Sequence, residues 1–130
     1  MPGILIVEDH ATFSEAIAFV LGSRLSGGLL GLATFHHATT VAEGLGLVSE
    51  KSPLDLAVVD LLLPDGDGME VVRKIKSFWP ETPVAVLSSV EDLSGALASG
   101  ADEAIAKGLP LTEIVARLAG LVSGGGRTGA

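Results

Sequence analysis

The sequence predicts an α/β fold: a three-layer, doubly wound parallel sheet of five strands with five helices on its two faces. Three observations predict it. The apolar pattern switches repeatedly between short continuous runs and helical spacing, so strand and helix alternate to the end of the fold. The runs are apolar at successive positions rather than at every second one, as strands buried on both faces require. The helical stretches between them supply the crossovers that parallel neighbours need. The 130 residues suit one domain, and 48% apolar content is ample for its core. With four Phe, one Trp and no Tyr, that core must be built from Leu, Val, Ile and Ala.

Gly3 to Val7 is a continuous apolar run ending in Glu8 and Asp9, and reads as a central first strand. Thr12 and Glu15 have capping-box spacing ahead of a stripe of Phe13, Ala16, Ile17, Val20 and Leu21, which the stretch from Gly22 to Gly28 breaks. Leu29 to Phe35 is the second strand. Thr40 and Glu43 repeat the capping spacing, with Val41, Leu45 and Val48 on one helical face before Pro53. Leu56 to Val59 is the third strand and ends at Asp60. After the turn-rich loop from Pro64 to Gly68, Met69, Val72, Ile75 and Trp79 mark a third helix that stops before Pro80. Glu70, four residues before Lys74, adds surface support to it. Val84 to Leu87 is the fourth strand, closed by Ser88 and Ser89, and a short helix around Leu93 to Ala98 ends at Gly100. Glu103 to Ala106 is the fifth strand. Pro110 opens the last helix at its favoured first position, with Leu111, Ile114, Val115, Leu118 and Leu121 as the buried stripe. The domain is expected over residues 1–122, and residues 123–130 as a flexible Gly-rich tail or the start of a linker.

Composition excludes several classes of function. A formal charge of −8 works against direct nucleic-acid binding by this domain. Without cysteine there is neither a disulfide framework nor a thiolate metal site. The start lacks the basic residues and long apolar stretch of a signal peptide, and the run from Leu54 to Pro64 is too short to span a bilayer and carries two Asp. The expectation is a soluble, cytoplasmic chain without membrane contact.

Ligands of open parallel sheets bind beyond the carboxyl ends of the strands. Glu8 and Asp9 follow the first strand, Asp60 the third, Ser88 the fourth and Lys107 the fifth, so these strand ends supply one pocket. Three neighbouring carboxylates repel one another unless a cation intervenes, and Mg²⁺ suits few carboxylates, several waters and an added phosphoryl oxygen. Asp9 and Asp60 are the expected direct ligands, with Glu8 acting through water. Asp60 is then a carboxylate nucleophile toward phosphorus, forming an acyl phosphate whose oxygens Mg²⁺ and Lys107 neutralise and to which Ser88 donates a hydrogen bond.

In the blocks ILIVEDH, VVDLLLPDGDGMEVVRKI, VAVLSS and GADEAIAK, the chain resembles the response-regulator receiver family over about residues 3–122. The resemblance implies the flavodoxin-like receiver fold with strand order 2-1-3-4-5, and phosphorylation from a phosphohistidine on a partner sensor histidine kinase. Position by position it makes Glu8 and Asp9 the acidic metal-binding pair, Asp60 the phosphoacceptor, Ser88 the switch hydroxyl, Lys107 the conserved-type lysine and the backbone carbonyl of Leu62 the third protein metal ligand. Mg²⁺ is the implied cofactor. The EDH opening and the LPDGDG loop look most like the subgroup whose members join a receiver to a helix-turn-helix DNA-binding domain. The implied output is therefore transcription regulation through such a domain or through another output protein, and a homodimer stays open. No turnover of an external substrate is expected.

Three departures from the family pattern stand out. Ala104 occupies the position three before the lysine, where an aromatic usually changes rotamer, so that half of the switch is missing. Ser88 to Gly100 is shorter than usual and implies a trimmed fourth helix. Gly108 follows Lys107 where a proline is frequent, so the cis bond found there need not form. The positions two beyond Asp60 and Ser88 are Leu62 and Val90, and neither orients water. Autodephosphorylation is therefore expected to take on the order of minutes or longer.

Blander readings exist for each residue. Asp60 beside a Pro- and Gly-rich stretch can serve as a turn cap, Ser88 and Ser89 as turn residues, and Lys107 as a solvated lysine; it is their convergence at strand ends that favours the site. Asp65 and Asp67 read as turn formers, Asp102 as a loop acid, Trp79 as packing, and His10, His36 and His37 as structural or surface groups. A pseudo-receiver, docking a protein partner without phosphorylation, is the alternative from another class. A phosphatase or nucleotide-binding enzyme on a similar sheet is disfavoured, since no Gly-rich loop follows the first strand and no second acid lies two residues after Asp60.

Overall fold

The computed structural model describes residues 2–26, 33–89, 97 and 100–123. In chain order the elements are β1 (Gly3–Val7), α1 (Ala11–Ser26), β2 (Thr34–Ala38), α2 (Val41–Glu50), β3 (Leu56–Asp60), β4 (Leu62–Leu63), β5 (Gly66–Asp67), α3 (Met69–Phe78), β6 (Val84–Ser88), β7 (Glu103–Ala106) and α4 (Leu111–Ser123). Five strands form a parallel sheet in the order β2-β1-β3-β6-β7. Counting only the strands of that sheet, this is the 2-1-3-4-5 order. Leu97 is helical, and the rest of the helix expected around 93–98 lies outside the described residues, as do residues 124–130.

Alternation along each strand sends its side chains to two cores. Leu5, Val7, Ala57, Val59, Val84 and Val86 pack with Val41 and Val48 of α2 and Met69, Val72 and Ile75 of α3. Ile4, Ile6, Leu56, Val58, Ala85, Leu87 and Ile105 pack on the other face with Ile17 and Leu21 of α1 and Ile114 and Leu118 of α4. Burial on both faces is why the central strands read as unbroken apolar runs. Each fully buried Leu or Ile contributes about 1.5–3 kcal/mol. Ala104 lies opposite Val86 and packs, partly buried, against the α2 and α3 side. Trp79 is buried at the end of α3, as expected from its place before Pro80.

The structure corrects several local expectations. β2 spans Thr34–Ala38 rather than Leu29 to Phe35; residues 27–32 lie outside the described part. An edge strand is half exposed and need not be apolar, so the polar segment Thr34-Phe35-His36-His37-Ala38 serves, in register with Gly3 to Val7. α1 begins at Ala11, ahead of the expected cap at Thr12, because the Glu8 carboxylate accepts the His10 N–H at 3.1 Å and the His10 carbonyl accepts from Ser14 N. The helix also runs through Gly22, where a side chain would sit 3.4 Å from the Phe35 ring. α4 starts at Leu111, with the Pro110 carbonyl accepting its first hydrogen bonds. Lys74 does not turn to Glu70; it bonds the Ser49 hydroxyl on α2 and lies over the Phe78 ring. The turn expected after β3 is there, at Pro64-Asp65, and it joins the two strands of the antiparallel β4–β5 pair, which the sequence pattern does not mark. Thr40 caps α2 as expected, its hydroxyl accepting from Glu43 N at 3.0 Å. Glu43 reaches back to Thr39, bonding its N–H and its hydroxyl. No cis peptide bond occurs among the described residues, and none of their helices is long and apolar enough to cross a membrane.

Candidate functional site

Strand register brings the polar strand ends to one rim. Val7 pairs with Val59, Asp60 with Leu87, and Ser88 with Ala106, so Glu8, Asp60, Ser88 and Lys107 leave the sheet at the same level. Glu8 N donates to the Ala38 carbonyl and Lys107 N to the Ser88 carbonyl, which extends the ladder by one residue on each side.

The Lys107 ammonium lies 3.1 Å from Glu8 Oε1 and 3.2 Å from Asp60 Oδ2, and so joins two carboxylates from different strands. Both acids are buried. The Phe13 ring lies 5.1 Å from the same nitrogen and covers it with its π face. Burial alone would weaken the charge on Lys107, but the Glu8 hydrogen bond and the Asp60 charge outweigh it and hold the lysine above its ordinary range. The other Asp60 oxygen, Oδ1, accepts from Leu62 N at 3.2 Å, which sets that peptide beside the carboxylate while the Leu62 side chain is 58% exposed. Ser88 is fully buried at the end of β6.

Asp9 is partly exposed, yet its Oδ1 is buried without a hydrogen-bond partner. Buried polar atoms are ordinarily satisfied, and a carboxylate oxygen without a donor is what a hard cation would satisfy. Ligand atoms of Glu8, Asp9 and His10 lie within 4.8 Å of one another. The donor set, two carboxylates and one imidazole nitrogen, is one that a divalent ion can use; Asp60 of β3 lies outside that cluster and is joined to Glu8 through Lys107.

Four more residues, of which the sequence reading takes His10 and His37 as structural or surface groups and Asp65 as a turn former and does not single out Ser14, have side-chain partners in this region. His10 Nδ1 lies 3.2 Å from Glu8 Oε2 and 3.5 Å from Asp9 Oδ1; the adjacency of Glu, Asp and His was the available signal. Asp65, read as a turn former, caps α2 from the loop, accepting from Val41 N at 2.7 Å and Ala42 N at 3.0 Å. No local pattern marks that role, because its partners lie more than twenty residues away. The Ser14 hydroxyl and His37 Nδ1 are 2.7 Å apart. Asp67 does behave locally, accepting from Met69 N at the start of α3. Asp102 stands at the other end of the sheet, bonded to Lys76 and Val84 N beside a cleft of about 650 Å³ that contains none of the strand-end acids.

Residues 4–119 match the response regulator receiver domain family. The chain belongs to that family. It is 39% identical over 121 residues to the KDP operon transcriptional regulatory protein KdpE of Escherichia coli, covering 91% of this chain and 50% of the relative. It is 36% identical over 132 residues to the transcriptional regulatory protein PrrA of Mycobacterium tuberculosis, covering 98% and 52%. The receiver thus spans about half the length of the curated relatives it matches. The crystal structure of a CheY-like receiver domain protein from Methanospirillum hungatei superposes with a TM-score of 0.81 over 99% of each chain; at 22% identity this likeness shows the fold. Both relatives are named as transcriptional regulatory proteins.

Proposed function

We propose that this receiver accepts a phosphoryl group on Asp60, from a phosphohistidine of a sensor histidine kinase, in a Mg²⁺-dependent reaction in the cytoplasm. The observation that carries the reading is the Lys107 ammonium, set 3.1 Å from Glu8 and 3.2 Å from Asp60. One partly exposed cation between two buried acids is a weak stabilising device, but it suits a site that must later hold more negative charge. In the transfer an Asp60 oxygen bonds to phosphorus as the P–N bond of the donor breaks, and the leaving imidazole takes up a proton. Lys107 then turns from the Asp60 carboxylate to the phosphoryl oxygens, and Ser88 donates its hydroxyl to them. Glu8 and Asp9, with Asp60 and the Leu62 carbonyl, would hold Mg²⁺, which supplies charge neutralisation to the transferring group when bound.

Residues 1–122 are the receiver unit in this reading and 123–130 a Gly-rich tail or linker start, with output through a DNA-binding effector domain or another output protein. That output is supported by relatives named as transcriptional regulators that are about twice as long. A second reading, a pseudo-receiver that docks a protein partner without phosphorylation, is favoured by one observation: Ala104 lacks the ring that would change rotamer. Mass spectrometry after acetyl phosphate and Mg²⁺, comparing wild type with Asp60→Ala, separates the two. One phosphoryl adduct, lost in the variant, is expected. An unlabelled wild type, or an adduct that persists in Asp60→Ala, overturns the phosphoacceptor reading.

A further inference from the structure

Gly68 has φ −59° and ψ −18°, a right-handed conformation open to any residue. Conformational freedom therefore does not explain the glycine, and close approach does. A Cβ built there would lie 2.0 Å from the Asp60 carbonyl oxygen, 3.0 Å from its carbonyl carbon and 3.1 Å from Leu61 Cα. All three are backbone atoms, which have no rotamer by which to withdraw. Ordinary contact is at about 3.5 Å, so even one methyl must push the two segments apart by more than about 1 Å.

The segments in question are the peptide that carries Asp60 and the first turn of α3. Gly68 N donates to the Leu61 carbonyl at 2.9 Å, and the Gly68 carbonyl accepts from Val71 N and Val72 N. The start of α3 is thus seated on the Asp60–Leu61 peptide, with only a glycine hydrogen between. The Asp60 side chain is held at the other end by two bonds, Leu62 N to Oδ1 and Lys107 to Oδ2, each at 3.2 Å. Moving the peptide moves the carboxylate against both donors.

We propose that Gly68 is a positioning residue for phosphoryl transfer, setting the Asp60 carboxylate against Lys107 by letting α3 seat directly on the Asp60 peptide. The inference rests on the phosphoacceptor reading. A misplacement of about 1 Å at a reacting group costs on the order of a hundredfold in rate.

The test compares Gly68→Ala with Gly44→Ala. A Cβ at Gly44 would crowd Val71 at 3.2 Å and Val7 at 3.4 Å, both through side-chain methyls, so that variant strains the core without touching the Asp60 peptide. Labelling by acetyl phosphate and Mg²⁺ is measured per folded molecule, together with the native amide spectrum. In Gly68→Ala, labelling is expected to slow at least tenfold, with shifted amides at Asp60, Leu61, Leu62 and Lys107; Gly44→Ala is expected to label like wild type. Both glycines Gly46 and Gly120 have open space where a Cβ would go, so Gly68→Ala is also made in a Gly46→Ala, Gly120→Ala background of greater helix stability. Wild-type labelling in Gly68→Ala, equal slowing in Gly44→Ala, or a Gly68→Ala chain that fails to fold even in that background overturns the positioning role. A wild type that takes no label fails the phosphoacceptor reading instead.

Discussion

Replacing Lys107 by alanine isolates the electrostatics of the site. Its nitrogen is 3.2 Å from Asp60 Oδ2, where at an effective dielectric of about 20 the attraction is about 5 kcal/mol. Glu8 at 3.1 Å contributes a similar amount. These attractions are largely offset by the several kcal/mol needed to take each ion out of water. The net effect of the substitution is therefore the cost of leaving two buried carboxylates without their counter-charge, about 3–5 kcal/mol. The lysine side chain keeps 20% exposure, and screening there sets the expected loss near the lower end, about 3 kcal/mol. For a domain of this size that corresponds to roughly 10 °C in Tm. Trp79, the single tryptophan and 2% exposed, reports unfolding in urea through its fluorescence. The loss should be greatest in EDTA and shrink in excess Mg²⁺, because a bound divalent cation restores part of the missing positive charge. A Lys107→Ala variant within about 0.5 kcal/mol of wild type in EDTA, as expected of a surface lysine, would refute the reasoning.

Three further outcomes are expected. Gly46→Ala and Gly120→Ala, whose added methyls meet nothing within 4 Å, should each raise the urea midpoint by an amount worth about 0.5–1 kcal/mol; a lowered midpoint contradicts the open space described here. The Val41 and Ala42 N–H groups hold the Asp65 carboxyl below its ordinary 3.8, and the Thr39 N–H and hydroxyl hold Glu43 below 4.5. Both folded values are depressed, so the stability they contribute is present above the ordinary values and lost as pH falls through the lowered ones. Asp65→Ala should flatten that acid limb in pH-dependent urea melts, and an unchanged limb counts against the cap. Finally, the exposed Leu62 side chain offers no group to orient water, so the phosphoryl group on Asp60 should persist on the order of minutes or longer. Val90, the other flanking position, lies outside the described residues. A half-life of seconds in Mg²⁺, or one that Leu62→Asn leaves unchanged, sinks this expectation.

What was legible in the sequence was what depends on near neighbours along the chain. Central strands buried on both faces betray themselves as apolar runs, as at Gly3–Val7 and Val84–Ser88, and a Thr three residues before a Glu marked the start of α2. Polar residues at the ends of such runs, Glu8, Asp60, Ser88 and Lys107, follow from the same pattern once the strands are taken as parallel. β2 was misplaced because an edge strand carries no such run and borrows its position from pairing with β1. Only tertiary structure decided that Lys107 bridges Glu8 and Asp60, that Asp65 caps a helix from another loop, and that Gly68 abuts the Asp60 peptide. Those contacts join residues brought close by sheet register and crossover packing, and no periodicity along the chain encodes a distance across the fold.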